Sequence, residues 1–171
     1  ILKEQIEILK VKEEQNKSLL ENINYLKYLL ELKTIYSSYN IINSTVIERN
    51  KLYYFNTITI DKGINDNIKE NMAVVNKNGL IGKIEKVYTD TSIVRLITTN
   101  DNNKISVKIK NDSNYIYGTI VSFENDLFII NDITNYQNVS INNEVYTTGL
   151  GVFPSDILIG KIEKIEENKY N

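Results

Sequence analysis

Two hydrophobic periods divide the chain. From Ile1 to about Tyr36 there is neither Gly nor Pro, and most residues are Leu, Glu, Lys, Gln or Ile, which are good helix formers. The pattern predicts one helix, at ~1.5 Å per residue a rod of roughly 50 Å. Leu2, Leu9, Asn16, Ile23 and Leu30 recur seven apart and form one heptad seam, with Leu19 and Leu26 as the apolar neighbours at its d positions. So narrow a stripe on so long a helix wants a partner helix, and the seam predicts a dimerising coiled coil. Asn16 in mid-seam costs stability but can hydrogen-bond to its own copy, which favours a parallel, in-register dimer. The seam is imperfect, because Gln5, Lys12 and Lys33 sit at d and nothing from Lys12 to Ser18 is apolar. An amphipathic helix packed back on the downstream domain is the competing reading.

After Ser37-Ser38-Tyr39-Asn40 the period falls to two, in short runs separated by Asn, Asp and Gly, and this is strand-and-turn patterning. Lys104 to Ile109 alternates with Ile105, Val107 and Ile109 on one face. Further strands are expected at Thr45–Arg49, Thr57–Ile60, Ala73–Val75, Ser92–Ile97, Tyr115–Val121, Leu127–Ile130 and Glu144–Thr147. Many short strands at this spacing read as barrels or sandwiches.

One strand is spelled twice. LIGKIEKV, Leu80 to Val87, returns as LIGKIEKI, Leu158 to Ile165, and such a repeat points to a duplicated structural unit. Strict alternation puts Leu80, Gly82 and Ile84 inward in the first copy and Leu158, Gly160 and Ile162 in the second. An inward Gly should mark a bulge, a bend or a close crossing of another strand. Each copy comes after a similar strand, through the tight turn Asn76-Lys77-Asn78-Gly79 in one case and the long connection Thr148 to Asp156 in the other. The expected fold is mainly β: a long N-terminal helix over residues 1–39, then two small β-barrel-like subdomains, 40–110 and 111–171.

Composition narrows the chemistry. The 171 residues are 42% hydrophobic and 25% charged with a net charge of −2; this is globular composition, without the basic footprint of a nucleic-acid binder. There is no Cys and no His, so thiolate nucleophiles, imidazole bases and the usual zinc sites are unavailable to it. A double-barrel hydrolase fails on the same ground, since Ser140 and Ser155 have no evident base. No catalytic residue, cofactor or metal is expected. No apolar run approaches the ~20 residues of a membrane-spanning helix. The chain starts at Ile1 inside a helical pattern, without Met, and an upstream signal peptide or membrane anchor is therefore expected.

Five segments carry a family resemblance: Ile60-Asp61-Lys62-Gly63, Asn71 to Val75, Gly79 to Ile84, Thr147 to Pro154, and Ile159 to Ile162. In this order, behind a coiled coil, they resemble the extracytoplasmic part of the bacterial rod shape-determining MreC proteins. The resemblance implies a membrane-anchored, non-enzymatic scaffold of the cell-wall elongation machinery, outside the cytoplasmic membrane. The partners it implies are a second copy, MreD and a class B penicillin-binding transpeptidase, with filaments as a further possibility. Two departures stand out: Ser155-Asp156 comes after the Pro where the family has a small or turn-forming residue, and Tyr53-Tyr54-Phe55 stands where a Trp is common. A periplasmic adaptor of a transport system also joins coiled helices to β-barrels, but usually through a helical hairpin, and one helix is visible here.

Candidate contacts are suggested by apolar residues in turns and loops. Tyr53 and Phe55 suit an aromatic interface anchor. Leu150, Val152 and Phe153, beside the single Pro of the chain, form either a docking edge or the plug of the second barrel, and a Phe beside a rigid turn favours the plug. Asp61-Lys62-Gly63 reads as a turn, with Gly63 supplying an unusual backbone angle. Lys83, Glu85, Lys161 and Glu163 read as a solvated strand face.

Overall fold

A computed structural model describes residues 2–49, 52, 56–100, 104–112 and 114–166. The chain separates into two compact units, Ile1–Ile41 and Ile42–Asn171. The first is dominated by α1, Leu2–Ile35, the long helix its Gly-free and Pro-free sequence demands, with Lys33 in its last turn, where the positive side chain faces the negative end of the helix dipole. Leu9, Asn16, Ile23 and Leu30 are all exposed on it, as are Leu19 and Leu26. These described seam positions are thus solvent-exposed on the helix. The buried residues of this unit, Leu32 and Tyr36, lie off the seam.

The second unit holds ten antiparallel strands among its described residues: β1 (Val46–Glu48), β2 (Thr57–Ile60), β3 (Ala73–Asn76), β4 (Gly79–Val87), β5 (Ser92–Leu96), β6 (Ile105–Asn111), β7 (Asn114–Glu124), β8 (Leu127–Asn131), β9 (Glu144–Thr148) and β10 (Ser155–Lys161). They form two five-stranded sheets, β1-β2-β5-β4-β3 and β10-β9-β6-β7-β8. The mainly β architecture read from the alternation is therefore present, with one change of boundary. β6 pairs along its whole length with β7, from Ile105↔Ile120 to Asn111↔Asn114, and also with β9. It belongs to the second sheet, so a division at residue 110 cuts a strand. Alternation identifies a strand's faces but not its neighbours, and that is why the line fell one strand late.

Each sheet has its own core. Ile58, Ile60, Ile68, Ile84 and Val94 form the first; Val107, Ile109, Ile116, Ile120, Val139 and Val145 lie in the second. Val94, Val107 and Ile109 have no solvent exposure, each contributing about 1.5–3 kcal/mol of burial.

The duplicated octapeptide marks a duplicated hairpin, β3-β4 and β9-β10. In both, a 3-10 turn (Ile64–Asp66, Tyr136–Asn138) leads to a buried aliphatic, Ile68 or Val139, and then to an Asn in the left-handed region, Asn71 (φ 66) or Asn142 (φ 69). Asn71 N donates to Ile84 O (2.8 Å) and Ile84 N to Met72 O (2.9 Å); Asn142 N donates to Ile162 O (2.8 Å) and Ile162 N to Asn143 O (2.9 Å). Both hairpins carry a bulge at the same point, between Leu80 and Gly82 and between Leu158 and Gly160.

That bulge breaks the alternation expected for the octapeptides at Leu80 and Leu158, while Ile84 and Ile162 face inward as expected. Ile81 and Ile84 pack on the first core and Ile159 and Ile162 on the second, three apart across the bulge because it inserts one residue and shifts the facing of those beyond it; Val87 joins the first core after a second irregularity of β4, between Ile84 and Lys86. Leu80 is buried yet lies in neither core cluster, and Leu158 is half-buried. The glycine expectation holds where the strands crowd: a Cβ on Gly82 would sit 2.1 Å from the Arg95 carbonyl oxygen of β5, whereas one on Gly160 would meet nothing within 4 Å. Gly63 is needed for the same reason and not for its angle. Its φ is −139°, extended backbone, while a Cβ there would lie 2.4 Å from Tyr88 O.

Gly82→Ala must part β4 from β5 and is expected to cost about 3 kcal/mol or more, while Gly160→Ala stays within ~1 kcal/mol. Urea denaturation of the two variants checks this; equal costs would mean that the close approach at Gly82 is not a constraint.

Candidate partner-binding site

The two sheets meet where the copies of the repeat approach one another. A Cβ on Gly79, whose φ is +133°, would stand 2.3 Å from the carbonyl oxygen of Leu158, so β4 and β10 touch backbone to backbone. Between the sheets opens a cleft of ≈ 130 Å³, walled by Lys83, Arg95 and Ile97 from the first sheet's side, Lys104 and Ser106 from the second, and the loop Leu150–Phe153.

The loop is the elaborated connection of the second hairpin, and hydrogen bonds fix both its ends. Thr147, 1% exposed, donates from Oγ1 to Pro154 O (2.5 Å) and accepts from Ile157 N (3.0 Å). Thr148 Oγ1 donates to Ser106 O (3.3 Å) and accepts from Leu150 N (3.1 Å). Gly149 and Gly151 both turn through positive φ. Phe153 packs against the second core, while Leu150 is 73% and Val152 47% exposed. The plug and the docking edge are thus divided within one loop: Phe153 closes the core and its two aliphatic neighbours are displayed. Tyr53 and Phe55 lie outside the described residues.

Charge collects on one wall. Lys83 stands directly opposite Arg95 across the β4-β5 ladder. Glu85, on the same face as Lys83, accepts from Arg95 Nε (3.1 Å) and Nη2 (2.5 Å). Lys83 and Glu85 are half-buried here and do not form the solvated face read for them, although Lys161 and Glu163 are exposed as expected. With Lys104 on the opposite wall, the cleft combines cationic groups with exposed aliphatics. At the loop's exit, Lys108 Nζ contacts Asp156 Oδ1 (2.5 Å) and Ser155 Oγ (3.3 Å). The hydrogen bond from Lys108, and then that from Ser155, hold the Asp156 carboxyl below the usual carboxylate range. The Ser155 hydroxyl donates to Asp156 and the adjacent ammonium is engaged by the same carboxylate, so three side chains clasp the exit of the loop.

A long helix in one unit and two five-stranded antiparallel sheets in the next define the class of protein: a helix-led, mainly β chain with a paired-sheet core. A family model described as "Rod shape-determining protein MreC, barrel core" matches residues 46–171, and the chain belongs to the MreC family. It is 33% identical over 172 residues to the cell shape-determining protein MreC of Listeria monocytogenes, covering 98% of this chain and 58% of that protein. The chain therefore spans little more than half of that relative. A solved Listeria MreC superposes with a TM-score of 0.69 at 31% identity, over 94% of this chain and 81% of that one. The major periplasmic domain of "the cell shape-determining filament MreC" gives 0.64 at 34% identity, over 72% and 81%. An MreC from Helicobacter pylori, solved as a complex with penicillin-binding protein PBP2, gives 0.56 at 20% identity, over 74% and 78%, and shares the fold.

Two outcomes test the site's construction. Thr147→Val leaves Ile157 N and Pro154 O without their partner and is expected to cost about 2 kcal/mol, with faster amide exchange at Ile157; Thr147→Ser keeps the wild-type values. On the outward face of the second sheet, burial first and then a hydrogen bond to Glu144 push the Tyr146 phenol up to about 12. A pKa raised by folding contributes stability that is present below the unfolded value of about 10 and lost as pH climbs from there towards the folded value. Tyr146→Phe should therefore flatten the alkaline fall in stability over that window, as read by urea denaturation at stepped pH.

Proposed function

We propose that this chain is the extracytoplasmic portion of a non-enzymatic scaffold of the cell-wall elongation machinery, which holds two copies of a double β module on a paired helical stalk. The exposed heptad seam of α1 carries the first half of this reading. Leu2, Leu9, Asn16, Ile23 and Leu30 would meet their counterparts in a parallel homodimer, Asn16 setting register at a cost in stability. The cleft carries the second half. Leu150 and Val152, displayed beside Lys83 and Lys104, suit a partner segment that offers apolar side chains flanked by a carboxylate. The class B transpeptidase is the partner we favour there, in keeping with the H. pylori MreC solved with PBP2; MreD is a second proposed partner. Self-association beyond the dimer is compatible with the relative named as a filament. Pairing would give two clefts per particle and raise apparent affinity without new contacts.

Sedimentation of the chain, of residues 42–171 and of a Leu9→Asp/Ile23→Asp variant tests the stalk: the first should be a dimer and the other two monomers, and a monomeric intact chain would refute it. Titration with the transpeptidase tests the cleft. Leu150→Asp and Val152→Asp should each weaken binding by about tenfold with unchanged circular dichroism, and wild-type affinity in both would remove this loop from the contact.

A further inference from the structure

The outward face of the second sheet is a platform of tyrosines that neither core nor cleft uses. β7 turns Ile116, Gly118 and Ile120 to the core, which leaves Tyr115 and Tyr117 on the solvent side, 46% and 49% exposed. Across the ladder, Tyr117 pairs with Lys108 of β6, and Lys108 pairs with Tyr146 of β9. Tyr117 and Tyr146 are therefore two strand spacings apart, ~9.5 Å, and Tyr115 and Tyr117 ~7 Å apart along one strand. The polar groups among them are tied down: Lys108 Nζ lies 4.8 Å from the Tyr115 ring centroid and reaches Asp156, and Tyr146 donates from its hydroxyl to Glu144 Oε2 (2.7 Å).

Exposed tyrosines on a strand are ordinary, but this arrangement selects among ligands. A lysine stands directly between two rings, and the centre of a protein–protein contact is depleted of such charges. Lys108 is balanced by Asp156, and Lys110, opposite Tyr115 on the same face, is matched in number by Glu144, so the patch lacks the cationic excess that phosphate backbones or anionic lipid surfaces require. Flat apolar rings interleaved with both donors and acceptors fit an uncharged polymer that has apolar faces and polar edges. Pyranose rings are such units: their C–H faces stack on aromatic rings, while hydroxyl and acetamido groups meet ammonium, carboxylate and phenol. In an extended β-1,4 chain successive sugars alternate in orientation, so rings set two strands apart can meet sugars of like orientation.

We propose that this face binds the glycan strand of peptidoglycan, a β-1,4-linked chain of N-acetylated amino sugars, with Tyr115 and Tyr117 as stacking platforms and Lys108, Glu144 and Asp156 as its polar edge. The wall as source rests on the extracytoplasmic location proposed above; the chemistry rests on the sheet face alone. A scaffold with this second site would hold its transpeptidase against the substrate polymer.

The test uses the intact chain, purified peptidoglycan freed of teichoic acid in a co-sedimentation assay, and a hexamer of N-acetylglucosamine titrated against the intrinsic tyrosine fluorescence. The protein should pellet with the glycan and bind the hexamer equally well at low and high salt. Tyr115→Ala and Tyr117→Ala should each weaken binding by about three- to tenfold, Tyr117→Phe should retain it, and transpeptidase affinity should stay unchanged in all three. No co-sedimentation, wild-type binding by both alanine variants, or loss of binding with added salt would each overturn the proposal. None of these results would bear on the transpeptidase contact.

Discussion

The space where a side chain on Gly79 would begin is occupied by the carbonyl oxygen of Leu158. Both partners are backbone, so no rotamer change can relieve the crowding, and only glycine combines this approach with a φ of +133°. The contact joins the turn of the first hairpin to the outer strand of the second sheet. Two small sheets, each with a modest core of its own, are thereby held as walls of one cleft. It also covers part of β10, which among the described strands is an edge of its sheet and would otherwise present a free edge to other chains. Closely packed interiors shift between discrete arrangements and do not deform smoothly, so a change at this junction would move both walls together.

The repeat explains why the contact falls where it does. The two hairpins share a 3-10 entry, a left-handed Asn, a ladder and a bulge, yet they enter their sheets differently: β4 pairs with β5 in the first sheet, whereas β9 pairs with β6 in the second. A hairpin closed by its own hydrogen bonds can accept a third strand on either side, so the local unit survives while sheet order changes. What diverged is the connection. A short turn suffices in the first copy, with Asn76 Oδ1 accepting from Asn78 N and Gly79 N. The second copy has the longer loop, and that loop carries the exposed aliphatics.

Much of this was legible in the sequence because it is local. The helix boundary is set by the absence of Gly and Pro, and Thr57–Ile60 is a strand over the residues whose alternation marks it. The repeat itself announced the paired hairpins. What escaped was every feature set by a register between distant strands. Bulges beside Gly82 and Gly160 changed the core spacing from two to three, and β6 joined β7 although nothing in its own alternation names a partner. Gly63 read as a φ > 0 position because sequence cannot distinguish that need from crowding by Tyr88 and Thr89. The cleft was illegible for the same reason: Lys83, Arg95, Lys104 and Val152 come together only once both sheets and their junction exist. The tyrosine face needs the pairing of Tyr117 with Lys108 and of Lys108 with Tyr146, which no single run of residues contains.

Exposed aliphatics such as Leu150 and Val152 would ordinarily collapse onto the nearest apolar surface, and Phe153 beside them does. They remain displayed because their loop cannot go with it. Two glycines at positive φ set its path, Thr147 and Thr148 fasten its base from opposite sides, and Phe153 anchors it in the core. The alternative, a mobile loop that orders on contact, would set its lost conformational entropy against the affinity of the complex. A buried threonine hydroxyl at the root of the loop is therefore part of the binding surface in an energetic sense, although it touches no partner. The same logic applies to the opposite face, where Lys108 fixes both the exit of the loop and the position of the Tyr115 ring.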